Sequence, residues 1–246
     1  MPGSRSTPLA IGPSLRWDAL SRKLPTDLGD VLEVGCGRGA FTGRLVRRAK
    51  RVVAIEPDHQ SFVIAQQQLG SSVQLRNIEC SELSSSECFD TVCAFEVLEH
   101  IEHDRAALED WIEHLRPGGH LVLSVPADSK RLGDWDEMVG HYRRYDRKEM
   151  KNLLEGVGLR VVDISQYNFP AGYFLETARN LIARRTLRKG AADKNFAERT
   201  AGSGRLFQPE SSFTAAVMRL VSLPAIALQR AFPDRGLGLI AIAQLD

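Results

Sequence analysis

Three glycines at alternate positions, Gly35, Gly37 and Gly39, separate a short apolar run (Val31-Leu32-Glu33-Val34) from a helix-like stretch, Phe41 to Ala49. A strand that turns on glycine into a helix leaves backbone N–H groups free at the helix start, where a polar or anionic ligand can sit. Glycine permits the close backbone approach and the positive φ that such a turn needs. A second apolar run, Arg51 to Ile55, ends in Glu56, about 20 residues beyond Gly35. An acid at that distance is placed to accept hydrogen bonds from a ribose. Turn and acid together point to a nucleoside-bearing cofactor, and two classes stay open. Dinucleotide sites favour G-x-G-x-x-G with the pyrophosphate on the helix N-terminus, but Ala40 stands in the place of the third glycine. Glu33, two residues before the turn, would repel a pyrophosphate and suits a cationic ligand.

Further reactive side chains follow. Glu96-Val97-Leu98-Glu99-His100-Ile101 comes directly after the apolar run Phe89 to Phe95. His100 and His103, with Glu99 and Glu102, raise the question of a metal site. A zinc helix motif sets its histidines at i and i+4 with Glu after the first; the spacing here is three, so no metal is expected. A polar connection, 127–145, ends in His141-Tyr142-Arg143-Arg144-Tyr145. Histidine can titrate near neutral pH, which makes His141 the candidate general base. Arg143 and Arg144 offer bidentate donors to an anionic group, and Tyr142 and Tyr145 offer ring faces for an acceptor pocket.

The segments Glu33-Val34-Gly35-Cys36-Gly37-Arg38-Gly39, Val53-Ala54-Ile55-Glu56, Glu96 to Ile101 and Leu115-Arg116-Pro117-Gly118-Gly119 resemble motifs of the class I S-adenosylmethionine-dependent methyltransferases of small molecules. The resemblance covers roughly 28–165, with a last strand at 238–243. It implies S-adenosylmethionine as cofactor and S-adenosylhomocysteine as product. It assigns Glu33, Gly35, Cys36, Gly37, Arg38, Gly39, Phe41, Glu56, Pro57, Glu79, Cys80, Phe95 and Glu96 to cofactor binding. Glu79 matches the acid that reaches the adenine amino group. His100, Tyr142, Arg143, Arg144 and Tyr145 are assigned to the acceptor.

The elements that must hold these groups follow from pattern. The fold class expected is α/β: a seven-stranded Rossmann-like, mostly parallel sheet with an antiparallel last strand and helices on both faces. Pro2, Gly3, Pro8, Gly12 and Pro13 mark 1–13 as a mobile arm. A helix is expected over 14–24 with Ser14 as N-cap, ended by Pro25. Further helices are expected over 58–69, 104–116 and 147–156, the last capped by Asp146, and strands over 73–76, 120–126 and 159–164. Arg116 to Gly119 reads as a helix stop and turn. The core comprises 14–165 plus 237–246. Between them, 166–236 is a helical insertion: an arginine-bearing helix over 171–188, a polar loop over 189–211 and an apolar helix over 212–232 interrupted by Pro224. It could serve as a lid, a dimer surface or a membrane-surface element.

Length and composition set limits. At 246 residues, 43% hydrophobic and 26% charged, the chain suits one large packed domain. A formal net charge of +1 gives no global field for nucleic acid. Cys36, Cys80, Cys88 and Cys93 form no C-x-x-C pair, so reduced thiols and a cytoplasmic location are expected. No apolar run reaches the roughly 20 residues of a membrane span. The partners expected are a small-molecule acceptor and at most a second copy of the chain. The activity expected is methyl transfer, oxygen slightly preferred over nitrogen or carbon. A nicotinamide oxidoreductase of similar sheet and a non-catalytic S-adenosylmethionine-binding protein remain alternatives.

Overall fold

The structure, a computed structural model, describes residues 9–188 and 212–246. The first part of the expected arm and the expected loop over 189–211 lie outside the described residues. Seven strands form one sheet: β1 (Asp30–Val34), β2 (Arg51–Ile55), β3 (Gln74–Arg76), β4 (Phe89–Phe95), β5 (Leu115–Pro126), β6 (Leu159–Tyr167) and β7 (Gly238–Leu245), in the order β3-β2-β1-β4-β5-β7-β6. The strands from β3 to β5 are parallel. The last strand is antiparallel to both its neighbours, with Ile240 opposite Ser124 on one side and Ser165 on the other. This is the expected architecture. The order reverses at β1, so ligands are directed to the carboxyl ends of β1 and β4.

The helices are α1 (Ile11–Ser21), α2 (Thr42–Leu45), α3 (His59–Leu69), α4 (Asp104–Glu113), α5 (Asp134–Val139), α6 (Arg147–Gly156), α7 (Ala171–Arg188) and α8 (Ser212–Ala231). Successive strand residues face opposite sides, and the core divides accordingly. Leu32, Val53, Val92, Leu121 and Leu123 pack with Leu108, Trp111, Met150 and Leu154 from α4 and α6. Val31, Val52, Ala54, Cys93 and Val122 pack on the other face with Leu20, Leu45, Ala65 and Leu69 from α1, α2 and α3. Central strands buried on both faces need mostly apolar residues, which explains their apolar runs, with Glu33 the buried acid within β1.

Three boundaries differ from expectation. The first helix starts at Ile11 with Ala10 as N-cap; Pro13 fits because first-turn N–H groups need no helical partner, and Ser14 Oγ bonds the Leu9 carbonyl instead of capping. Arg116 to Gly119 does not end α4, which stops at Glu113. These residues sit inside β5 as an irregularity of register against β4, with Gly118 at φ +77°. The polar connection after β5 carries a helix, α5, which sequence pattern did not reveal.

The insertion helices dock on the site side. Helix α7 packs on α5, and α8 packs on α1. Gln229 Nε2 donates to the Leu15 carbonyl at 3.0 Å and to Asp18 Oδ2 at 3.1 Å, and Arg230 Nε donates to Asp18 Oδ1 at 3.0 Å. Phe174, Leu181 and Ile182 of α7 are exposed. Among the described residues no helix is long and apolar enough to cross a membrane. Leu32 lies in the middle of the central strand with no exposure. Leu32→Ala is expected to cost about 2–5 kcal/mol, read as a lower denaturant midpoint at unchanged slope.

Candidate active site

A cavity of about 830 Å³ opens beyond the carboxyl ends of β1, β2 and β4. The glycine turn forms its floor. Cys36 N–H donates to the Ile55 carbonyl at 3.0 Å, which ties the turn to the end of β2. Glu56 lines the cavity and accepts from Gly37 N–H at 2.7 Å through Oε2 and from Asp58 N–H at 2.9 Å through Oε1. The carboxylate therefore shapes the turn as well as facing the ligand space, and each oxygen keeps a lone pair for a hydroxyl.

The three glycines have different reasons. All have positive φ. A Cβ at Gly35 would fall 2.6 Å from Val97 Cγ2, and one at Gly39 would fall 2.6 Å from Leu69 Cδ1. A Cβ at Gly37 would meet nothing within 4 Å. Gly35 and Gly39 thus serve packing, whereas Gly37 keeps open a cradle that any side chain would begin to fill. That is the mark expected where a ligand lies against the backbone, and a nucleoside cofactor fits it.

The expected cofactor residues line the cavity except for two. Gly39 is turned away, and Glu33 lies beneath the turn, 2% exposed, with Oε2 lacking a hydrogen-bond partner. Burial pushes the Glu33 carboxyl up to about 8, with the Glu56 charge adding to the rise. Burial also raises Glu56, against the two backbone N–H groups that favour its charged form. Phe41 packs between Trp17, edge to face at 5.6 Å, and Phe95, tilted at 5.3 Å. Glu79 stands exposed at the rim near Ile78, Ile101 and Ala107, which give that end apolar walls.

The opposite wall belongs to residues that sequence reading largely missed. Arg16 of α1 is ion-paired with Glu96 at 2.8 Å and donates to the Tyr167 hydroxyl at 2.9 Å. Glu96 holds φ +57°, a strained value for a non-glycine residue and one that clusters at functional sites. Asp136 of α5 is fully buried and lies 2.7 Å from His141 Nδ1. Although burial raises its pKa, His141 and Arg144 outweigh that and hold it below the usual carboxylate range. His141 and His100 meet edge to face at 4.7 Å, and His100 Nδ1 lies 2.9 Å from the Gly140 carbonyl. Burial and the neighbouring His141 push His100 down to about 4. Glu99 is completely buried, which raises its pKa, with the Glu96 charge as the next cause.

The acceptor assignments need correction. His100 and His141 line the cavity, but Tyr142, Arg143, Arg144 and Tyr145 do not. Arg143 Nη1 bonds Asp104 at 2.9 Å, and the buried Tyr145 hydroxyl donates to Asp104 at 3.0 Å. Arg144 is 5% exposed; it bonds Asp136 at 2.7–3.0 Å and Glu176 of α7 at 2.6 Å. These side chains fasten the His141 loop and α7 to the core, leaving no donor fork for a ligand. Arg16, Arg38 and Arg179 do line the cavity, and Arg179, from α7, lies 5.2 Å over the Trp135 ring. Burial, and then the Arg16 charge, lower the Arg179 pKa. Among the described residues Arg179 has no ion-pair partner within 4.0 Å, whereas Arg16 is held by Glu96. An arginine in an expected amphipathic helix was the available signal; its direction was not.

A family model for the methyltransferase domain matches residues 15–164. The chain belongs to the S-adenosylmethionine-dependent methyltransferases. The mouse (Mus musculus) mitochondrial ubiquinone biosynthesis O-methyltransferase is 35% identical over 103 residues, 39% of this chain and 28% of the relative. The chain thus spans under a third of that relative's length. The N-methyltransferase NodS from Bradyrhizobium japonicum WM9, solved with S-adenosylhomocysteine, is 26% identical with a TM-score of 0.50 over 63% of this chain and 76% of its own. The [4+2]-cyclase SpnF is 17% identical with a TM-score of 0.56 over 93% and 80% of the two chains, a likeness of fold alone. The cofactor of this methyltransferase is S-adenosylmethionine, and the open cradle at Gly37 agrees with it.

Two outcomes test the turn. Gly37→Ala should leave a folded protein, destabilised by about 1–2 kcal/mol for the left-handed backbone, with adenosyl affinity lowered about tenfold or more. Gly35→Ala carries the same strain and a clash, so its melting temperature should fall further; calorimetric titration and thermal unfolding read both. Glu33 gives a pH dependence. Its carboxyl is raised from 4.5 to about 8 in the folded state, so the stability it confers is full below about pH 4.5 and is lost as pH rises through about 8. Glu33→Gln imitates the protonated form, and its melting temperature should fall less between pH 5 and 8 than that of the unmodified chain.

Proposed function

We propose that the protein transfers a methyl group from S-adenosylmethionine to a small-molecule acceptor, with oxygen preferred over nitrogen or carbon as the receiving atom. The observation that carries the reading is the setting of His141. Its Nδ1 is held by Asp136 at 2.7 Å, and an ionised carboxylate can only accept, so that nitrogen carries the proton and Nε2 keeps its lone pair for the cavity. The mouse relative's name supports oxygen, and the NodS name keeps nitrogen in view.

The bound cofactor supplies a methyl group already activated by its positive sulfur. The chain's own work is therefore alignment, exclusion of water and removal of the acceptor's proton. Glu56 and Glu79 are assigned to the nucleoside, and Cys36, Gly37, Arg38, Phe41, Pro57, Cys80 and Phe95 to the wall around it. Arg16, by pairing with Glu96 at 2.8 Å, holds the strained end of β4 in place. His141 takes the acceptor's hydroxyl proton at Nε2. Asp136 stabilises the imidazolium that results, as a buried partner does for a histidine base. Arg179 lines the cavity without a carboxylate partner among the described residues, so the acceptor is assigned an anionic substituent, a carboxylate or phosphate, that pairs with it.

Calorimetric titration with S-adenosylmethionine, S-adenosylhomocysteine and NAD comes first. Micromolar binding of the two adenosyl ligands is expected, and binding of NAD alone would overturn the reading in favour of an oxidoreductase. A panel of phenols and alcohols with and without a carboxylate or phosphate then tests the acceptor, with methylated product detected by mass spectrometry. Turnover is expected for the anionic members. Arg179→Gln should raise their KM about tenfold, equivalent to about 1.4 kcal/mol, at unchanged S-adenosylhomocysteine affinity. An unchanged KM would remove Arg179 from acceptor recognition.

A further inference from the structure

Helical spacing in the sequence argued against a metal site built from His100 and His103. The fold brings a different partner. Glu99, His100 and His141 each present one ligand atom, and these atoms lie within 4.8 Å of one another. His141 Nε2 stands 3.9 Å from Glu99 Oε1. Both histidines line the cavity wall.

Three observations beyond proximity point to a cation. First, Glu99 has no exposure, and neither of its carboxylate oxygens has a hydrogen-bond partner. A buried carboxylate without partners is costly, and structures retain one where something compensates it. Second, both imidazoles are oriented through their other nitrogen. His141 Nδ1 is bonded to Asp136, and His100 Nδ1 lies 2.9 Å from the Gly140 carbonyl, which can only accept. Each ring therefore carries its proton at Nδ1 and offers a lone pair at Nε2. A carboxylate or carbonyl behind the ring is the arrangement that orients metal-binding histidines. Third, the loop is tied to the motif by its backbone, since Tyr142 N–H donates to the Glu99 carbonyl at 2.8 Å. The ligands are thus fixed relative to each other by more than their side chains.

We propose that Glu99, His100 and His141 bind a divalent transition cation, zinc or a similar ion, with a coordination position open to the acceptor. Two imidazoles and one carboxylate suit zinc, cobalt, manganese or iron(II) better than magnesium or calcium, which favour all-oxygen sets. Bonds of about 2.0–2.1 Å place neighbouring ligands of a tetrahedral ion roughly 3.4 Å apart, so the carboxylate and His141 need to close by about half an ångström. Three protein ligands and one open position is the pattern of reactive rather than structural sites. What the ion does rests on the methyltransferase reading; that it binds does not. An acceptor hydroxyl ligated at the open position has its pKa lowered and gives its proton to solvent water. The oxygen lone pair then forms the bond to the methyl carbon, and the electron pair of the broken carbon–sulfur bond stays on sulfur. With the ion in place His141 is a ligand, and its role as base belongs to the cation-free protein.

The experiment uses the full chain, treated with chelator and titrated with zinc by calorimetry and with cobalt(II) by visible absorption. One equivalent of either ion should bind, and cobalt should develop the visible bands of a low-symmetry nitrogen and oxygen site. Glu99→Gln and His141→Gln should each lower affinity at least about tenfold, and Asp136→Asn, acting through His141, by about 10–100-fold. His103→Ala should bind the ions as the unmodified chain does. S-adenosylhomocysteine titration of each variant checks the fold separately. Absence of one-equivalent binding to the unmodified chain, or binding that survives both Glu99→Gln and His141→Gln, would overturn the proposal. Failure to bind S-adenosylhomocysteine would instead strike the methyltransferase reading and leave the cation result standing.

Discussion

A single buried carboxylate holds together the cavity wall opposite the glycine turn. Asp136 has no exposure, yet it bonds His141 through one oxygen and Arg144 through both. Arg144 continues the connection to Glu176 on α7. A buried arginine between two acids is tolerable only because every charge is met; removing one partner would leave the others uncompensated in a low dielectric. The chain of contacts therefore links the cavity-facing imidazole, the loop after β5 and the inserted helix into one unit. The insertion is joined to the site by ion pairs at its α7 end and by the Asp18 cluster at its α8 end. Its position relative to the cavity is set by polar geometry that apolar packing alone could not specify.

The cofactor side of the site was legible in the sequence because its chemistry is local. A glycine turn needs glycine wherever φ is positive, and an acid at the end of β2 lies at a fixed distance in the chain from that turn. Gly35, Gly37 and Glu56 could therefore be found by spacing. Which glycine faces ligand and which faces Val97 or Leu69 depends on packing between elements, and spacing is silent on that. The strands were legible for a similar reason: those buried on both faces are predominantly apolar, Glu33 in β1 aside.

The acceptor side was only partly legible because its contacts span the fold. Arg16 meets Glu96, and Arg144 meets Glu176, across 80 and 32 positions of sequence. The pair Arg143-Arg144 reads as free donors for an anionic group, since arginine is seldom buried without a partner, and the partners sit elsewhere. Arg179 reads as one of several arginines on an amphipathic helix. Only the docking of α7 on α5 singles it out as the one among them that lines the cavity among the described residues. The same limit applies to His141, whose neighbour Glu99 lies 42 positions earlier. Helical spacing says nothing about a cluster whose members come from two segments of the chain.

The sheet order carries a consequence for how the chain comes into being. β7 lies between β5 and β6, yet it is made about 70 residues after β6 ends. At 5–20 residues per second that interval is on the order of 4–14 s during synthesis. Throughout it the outer edge of β5 and the edge of β6 that will receive β7 lack their partner, and open edges invite pairing with other chains. The nascent protein must pass this interval with its half-sheet exposed. A longer insertion would bring a longer exposure, so protection by chaperones and the pace of translation through 168–237 bear directly on the yield of folded protein.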